Sequence, residues 1–222
     1  LAHFFITGAA RGIGHALAAE ALARGHDVSV SVRSDADLSQ APEGTSTVVF
    51  DVRDGSALAL AAAGIDRPID VLINNAGIIG PDRQSTLDMD FDGFAETLAV
   101  NTLAPLRVSQ VFLPHLRRSA RPRILTVSSA MGRMSYQQSD RIAYRASKAA
   151  VNKVMQGLAT DLRADGIAVQ CVHPGWVRTD MGGPEADIDV TESALGIMDR
   201  AEALEMVDTG SFVNYDGTTV DW

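Results

Sequence analysis

His3-Phe4-Phe5-Ile6-Thr7-Gly8-Ala9-Ala10-Arg11-Gly12-Ile13-Gly14 runs from an apolar strand through a glycine-rich loop into an Ala-rich apolar helix. Glycines at 8, 12 and 14 permit a tight turn, close backbone approach to a pyrophosphate, and close helix–strand packing. The first turn of the helix adds unpaired amides and the positive end of its dipole. The T-G-x-x-x-G-x-G spacing differs from the common G-x-G-x-x-G, and a lone glycine pattern is weak. Its position directly after the first strand gives it weight. Thr7, Gly8, Arg11, Gly12, Ile13 and Gly14 are therefore the expected cradle for a dinucleotide.

Outward from this unit, apolar strand-like runs alternate with helical stretches. HFFIT, DVSVSV, TVVFD, DVLINN, RILTVSS, IAVQCV and SFVNY read as strands. Helical patterns fall at about 12–24, 55–63, 91–117, 144–165 and 191–207, and Gly25, Gly64 and Gly166 stand where stop signals belong. This rhythm predicts an α/β fold, a doubly wound parallel sheet of seven strands covered by helices on both faces. Neither a linker nor a repeat divides the chain, so residues 1–222 are expected to form one domain. Two segments break the rhythm, Gly132 to Arg141 and Asp180 to Asp189. Both would lie at the carboxyl ends of strands, where ligands bind in such folds.

The composition narrows the function classes. Hydrophobic residues make up 46% and charged residues 21%, as in ordinary globular enzymes. A net charge of −9 argues against a nucleic-acid partner, which would ask for a basic stripe. No apolar stretch approaches a membrane span and no signal-like start is visible, so the expectation is a cytoplasmic protein without a membrane partner. The chain opens directly on a strand-like run, which leaves room for a short natural N-terminus ahead of it. The single Cys171 excludes internal disulfides, suits a reducing compartment and reads as core packing. No His/Cys cluster has ligand spacing, so no metal is expected.

The second strand ends VSVSVRS, placing Val32 and Arg33 where an NAD site usually carries an acidic residue for the ribose 2′-hydroxyl. Arg11 lies inside the glycine loop. Two guanidinium groups there suit a 2′-phosphate, which Arg grips through paired hydrogen bonds, so NADP(H) is expected over NAD(H). Asp35 and Asp37 are the competing ribose ligands, but they fall beyond the strand end.

Tyr144 and Lys148, in AYRASKAAVNKV, are four residues apart on a predicted helix and share one face. A free phenol titrates near ~10, and an adjacent ammonium favours the phenolate. The pair is thus expected to exchange a proton with a carbonyl or alcohol oxygen.

These pieces together resemble a classical short-chain dehydrogenase/reductase over nearly the whole chain. The matching runs are TGAARGIG, the Asp51 of VFDVRD, NNAG at 74–77, the Asn101 of LAVNTLAP, VSS at 127–129, YRASK and HPGWVRT. YRASKAAVN, HPGWVRTDMGG and the ending FVNYDGTTVDW are similar to the C-factor/sniffer-like carbonyl reductase branch. The resemblance implies an oxidoreductase acting on an aldehyde, ketone or quinone, or on the corresponding alcohol, with a small-molecule substrate. It implies Tyr144 as the proton donor or acceptor and Ser129 as the group that orients the substrate oxygen. Lys148 would lower the Tyr144 pKa and bind the nicotinamide ribose, and Asn101 would support a water-mediated relay from Lys148. Asp51 and Val52 would meet the adenine, and Asn75, Ala76 and Gly77 would line the cofactor. Pro174, Gly175, Val177 and Thr179 would hold the carboxamide end. A homodimer or homotetramer built on the helices at 91–117 and 144–165 is likewise implied. The rival reading is an NADP(H)-binding sensor or signalling module without turnover.

One spacing departs from the family. Fifteen residues separate Ser129 from Tyr144, two more than is common, and Met131 occupies the usual serine position. The extra residues fit an insertion in the polar segment ending at Arg141. Strand alternation lets only one of Ser128 and Ser129 face the pocket, and Ser129 is the expected one, with Ser135 an outside candidate. His173 and His15 read as packed or exposed histidines. Met131, Met134, Trp176 and Met181 read equally as an apolar pocket lining or as loop packing.

Overall fold

The computed structural model describes residues 1–222. Its strands are β1 (His3–Thr7), β2 (Asp27–Val32), β3 (Ser46–Val49), β4 (Val71–Asn74), β5 (Gln84–Ser85), β6 (Asp88–Met89), β7 (Arg123–Val127), β8 (Ala168–His173) and β9 (Ser211–Asn214). Its helices are α1 (Gly12–Ala23), α2 (Gly55–Ala63), α3 (Phe91–Leu98), α4 (Ala104–Leu116), α5 (Ile142–Asp161) and α6 (Val190–Ala203). Seven strands form one parallel sheet in the order β3-β2-β1-β4-β7-β8-β9, and β5 and β6 make a separate antiparallel pair. The order reverses between β1 and β4, so a crevice opens at their carboxyl ends.

The strand sequences dictate two apolar layers. Successive side chains leave opposite faces of a strand. Phe5, Leu72, Ile124, Val169 and Phe212 accordingly pack with Leu58 of α2, Phe112 of α4 and Met155 of α5. Their neighbours Phe4, Ile6, Val30, Ile73, Leu125 and Val172 pack with Leu17 of α1 and Ile197 of α6. Both faces are buried, which explains why these strands read as continuous apolar runs. Cys171 lies in the first layer and is reduced and buried.

The structure revises several element boundaries. The stretch 91–117 is not one regular helix: Ala99–Leu103 forms a π-helical turn between α3 and α4. Such a turn carries one residue more than the α-helix around it and re-aims the side chains at that point. Helix α5 starts two residues earlier than the periodicity suggests, at Ile142, and α6 ends at Ala203. The β5–β6 hairpin has no apolar signature and was not expected.

Candidate active site

Five segments converge at the carboxyl edge of the sheet. The first is the loop after β1. Gly8 and Gly12 both have left-handed backbone, with φ of 71° and 57°. A Cβ on Gly8 would sit 3.0 Å from the Ala76 Cα, and one on Gly14 would collide with the Gly8 carbonyl and the Asn75 side chain. The loop is thus pressed against the second segment, Asn74 to Gly77. Thr7 is buried, and its hydroxyl accepts the Asn75 and Ala76 amides at 3.0 and 3.1 Å. The Asn75 side chain donates to the Thr7 and Gly8 carbonyls at 2.9 and 3.1 Å. Thr7 and the Asn75 amide therefore hold the cradle together and are engaged with protein, while the half-buried Gly12 and Ile13 open α1 beside them.

The third segment is the π turn. It directs the buried Asn101 back onto the strand end, where its Nδ2 donates to the Ile78 carbonyl at 2.8 Å and its Oδ1 accepts the Ile78 amide at 2.9 Å. The same Nδ2 donates to Ser147 Oγ at 3.0 Å. A Cβ on Gly77 would lie 3.3 Å from Asn101 Oδ1 and 3.7 Å from Lys148 Nζ, so Gly77, Asn101 and Lys148 meet at one point.

The fourth segment couples the end of β7 to α5. Ser128 hydrogen-bonds Asn152 of α5 at 2.5 Å. Ser129 lies beside the Tyr144 phenol, and its hydroxyl favours the ionised form. Ser128 is thus turned onto α5 and Ser129 toward Tyr144, and Ser135 is an exposed loop residue. Lys148 is buried, donates from Nζ to the Val127 carbonyl at 2.9 Å, and lies 5.7 Å from the centroid of the Tyr144 ring.

The electrostatics differ from the simple pair picture. Burial pushes the Tyr144 phenol up, and the groups pulling it back are Ser129 and Arg141. Burial likewise weakens the hold of Lys148 on its proton, bringing it down to about 8. Lys148 is not among the groups that pull the Tyr144 phenol back. Cys171, on the same face, is pushed up to about 12 by burial. His173 at the end of β8 is held down to about 4 by burial, with Arg133 and Lys148 adding to the effect, so it is a neutral imidazole at neutral pH.

The fifth segment follows β8. Pro174 accepts Ser193 Oγ of α6 at 2.7 Å. Gly175 has φ 86°, and a Cβ there would strike Ile188 and the Tyr215 ring. Val177 is buried and bridges to Ile188. Thr179 arches over the glycine loop: its Cγ2 lies 3.6 Å from where a Gly12 Cβ would be. Next to it, Asp180 pairs with Arg11 at 3.2 Å on the surface. Trp176 and Met181 are exposed, Met134 is fully in solvent and Met131 is half-buried.

At the other end of the crevice Arg33 is exposed at the end of β2. Asp51 is ion-paired to Arg53 at 2.7 Å, which holds its carboxyl below the usual range, with Arg33 contributing. Val52 beside it is half-buried. Asp37 is engaged in a capping box with Ser34, its carboxylate accepting the Ser34 hydroxyl at 2.7 Å. This removes one of the two acidic rivals for a ribose hydroxyl.

The comparisons with known proteins match this geometry. The profile described as short chain dehydrogenase matches residues 2–188. This chain belongs to the short chain dehydrogenase family. Among family members, the C-signal of Myxococcus xanthus is 42% identical over 156 residues, spanning 70% of this chain and 93% of the relative. The 1-hydroxy-2-glutathionyl-2-methyl-3-butene dehydrogenase of Rhodococcus sp. (strain AD45) is 32% identical, and the alignment covers 98% of both chains. The carbonyl reductase Sniffer of D. melanogaster superposes with a TM-score of 0.92 at 30% identity, covering both chains completely. The NADPH-bound carbonyl reductase from chicken fatty liver gives 0.91 at 30% identity, over 100% of this chain and 99% of that one. The short chain dehydrogenase relatedness thus includes the carbonyl reductase branch.

Several residues that shape the site carry no signal of their own in the sequence. Ser147, Asn152 and the Val127 carbonyl act only through partners brought together by the fold. Gln84, in a polar stretch, is buried against the start of α5. The Ser147 position inside YRASK was the one available hint.

Proposed function

We propose that the chain, as one domain over residues 1–222, is an NADP(H)-dependent carbonyl reductase. It would reduce an aldehyde, ketone or quinone to the alcohol, or run the reverse reaction. The observation that carries this reading is the Ser129 hydroxyl beside the Tyr144 phenol, with the Lys148 ammonium 5.7 Å from the ring. A proton donor, an orienting hydroxyl and a cation are thereby gathered at the mouth of a crevice.

The residues present fit a nicotinamide dinucleotide phosphate. The left-handed Gly8 and Gly12 shape the turn before α1, whose first amides would meet a pyrophosphate. Arg11 and Arg33 are exposed where a 2′-phosphate would lie, and Lys148 and Asn101 meet Gly77 at the opposite end. When bound, the dinucleotide supplies or accepts the hydride. Ser129 holds the substrate oxygen against Tyr144, which transfers the proton to or from it. Lys148, near neutrality in its pKa, can hand a proton on as the phenol is reloaded, and Asn101 fixes the backbone beside it. The NADP(H) assignment is supported by relatives whose structures contain NADPH or NADP.

A second reading, a cofactor-binding signalling module without turnover, draws on the similarity to the C-signal. The two separate in one experiment: oxidation of NADPH and NADH with a panel of aldehydes, diketones and quinones, for wild type and Tyr144→Phe. Turnover with NADPH that disappears in the variant while NADPH binding persists is the expected result. Tight NADPH binding with no turnover on the panel would favour the signalling module. The reading also takes the protein to be cytoplasmic and a homodimer or homotetramer, and a purely monomeric species in size-exclusion light scattering would remove the latter.

A further inference from the structure

Helix α5 carries Tyr144 in its first turn, yet its own N-terminus is poorly provided for. The N-cap residue Arg141 has left-handed backbone, with φ 51° and ψ 45°, and offers no side-chain cap; the first turn holds no acidic residue. Helix starts leave several amides without an internal partner, and these need an acceptor when buried. The Tyr144 amide is one of them. Its acceptor comes from far away in sequence, since Gln84 Oε1 receives it at 3.1 Å.

Gln84 is only 8% exposed, although it lies in a two-residue strand of an otherwise polar hairpin. Its Nε2 donates to the Ile79 carbonyl at 3.1 Å and to the Pro81 carbonyl at 2.7 Å. One amide therefore ties the segment leaving Gly77 to the backbone of Tyr144. Asn101 grips the same segment one residue earlier, at Ile78, and passes to α5 through Ser147 Oγ, which in turn donates to the Tyr144 carbonyl at 2.7 Å. The Tyr144 peptide is thus held at both poles, its amide by Gln84 and its carbonyl by Ser147. The turn at Gly80, with φ 90°, brings Gln84 into place, and a Cβ there would meet Thr97 Oγ1 at 2.9 Å.

We infer that Gln84 is a positioning residue for Tyr144, capping the catalytic helix from the β5–β6 hairpin and setting where the phenol stands relative to the nicotinamide wall. This deepens the reductase reading and rests on it for its kinetic part. Displacements of a fraction of an ångström at a reacting group cost on the order of ten-fold in rate. The full-length Gln84→Met variant keeps the shape and loses all three hydrogen bonds. It should lose about ten-fold in kcat with the KM for NADPH within about two-fold, and its Tyr144 amide should exchange hydrogen faster. Gln84→Glu keeps an acceptor for the Tyr144 amide and, when protonated, one donor for the Ile79 or Pro81 carbonyl, so it should recover part of the lost kcat toward acid pH, which a merely structural loss would not allow. A kcat for Gln84→Met within about two-fold of wild type, equal losses in both variants at acid pH, or unchanged Tyr144 exchange would each overturn the inference. If wild type shows no turnover at all, the reductase reading fails, and the exchange measurement still decides the capping role.

Discussion

Replacing Gly132 with alanine tests how tightly the Ser129 turn is seated on α5. Gly132 closes the short 3-10 turn Ala130–Gly132, which begins at Ser129. Its amide donates to the Ser129 carbonyl at 2.9 Å, and Ser129 Oγ accepts the Met131 amide at 3.1 Å. A Cβ at this position would stand 2.7 Å from the Lys148 carbonyl carbon and 2.8 Å from the Ala149 amide nitrogen. Both are backbone atoms of a long helix, so the turn must retreat instead. Reaching the 3.4 Å at which ordinary contact begins requires about 0.7 Å, and Ser129 moves with the turn. Overpacking of this kind costs about 1–3 kcal/mol. At roughly 2–4 °C per kcal/mol for a chain of this size, Tm should fall by about 4–8 °C for a cost near the middle of that range. Because an ångström of misplacement costs on the order of a hundred-fold in rate, kcat should fall roughly ten- to fifty-fold, with NADPH affinity little changed. Gly157→Ala is the control, on the same helix but exposed with nothing within 4 Å of its Cβ position. That change should stabilise by about 0.5–1 kcal/mol and leave turnover alone. The assays are thermal unfolding by circular dichroism and steady-state NADPH oxidation. A Gly132→Ala protein with wild-type kcat would refute the reasoning, because Ser129 would then not need this seat.

Two further outcomes follow from the buried charges and the exposed arginines. Lys148 has a folded-state pKa of about 8, below its ordinary 10.5, so burying its charge destabilises the fold below pH 8 and this penalty fades as pH rises toward 10.5. Lys148→Met should therefore unfold at a higher temperature than wild type at pH 7, by a net of about 1–2 kcal/mol after the Val127 carbonyl loses its donor, and the gap should close by pH 10 in denaturation measured across that range. Activity should be lost in the same variant. Arg33→Ala should raise the KM for NADPH roughly ten-fold or more and that for NADH by less than about two-fold, since a charge-assisted bond to the 2′-phosphate is removed. Equal changes for the two cofactors would reject the 2′-phosphate site.

The central strands were legible because they are buried on both faces and so read as apolar runs, while the edge strands β3 and β9, only partly buried, were read from short β-branched or aromatic stretches. The residues at their carboxyl ends were legible because glycines at 8, 12 and 14, Asn75, Tyr144 and Lys148 occupy positions where chemistry restricts the choice. Strand alternation lets only one of Ser128 and Ser129 face the pocket, and the hydrogen bond from Ser128 to Asn152 turns Ser128 onto α5. The β5–β6 hairpin was illegible, since two-residue strands of polar side chains have no period to read. Gln84 was hidden for the same reason: its partners lie at Ile79, Pro81 and Tyr144, and only folding brings them together. Spacing places Lys148 beside Tyr144 and says nothing about how much water either group loses on burial.

The π turn at Ala99–Leu103 bears on how this chain tolerates changes of length. Insertions and deletions are ordinarily absorbed in surface loops. Here a one-residue surplus is retained inside a helix, where removing any residue of the turn lets α3 and α4 close into an uninterrupted α-helix. The turn absorbs its surplus residue, so in such a shortened chain the faces of α3 and α4 would stay close to where they are. What would change is the aim of the turn's own side chains, and Asn101 would no longer meet Ile78. The length of the Phe91–Leu116 segment is therefore tied to where Asn101 stands in the crevice and not to the packing of the two helices.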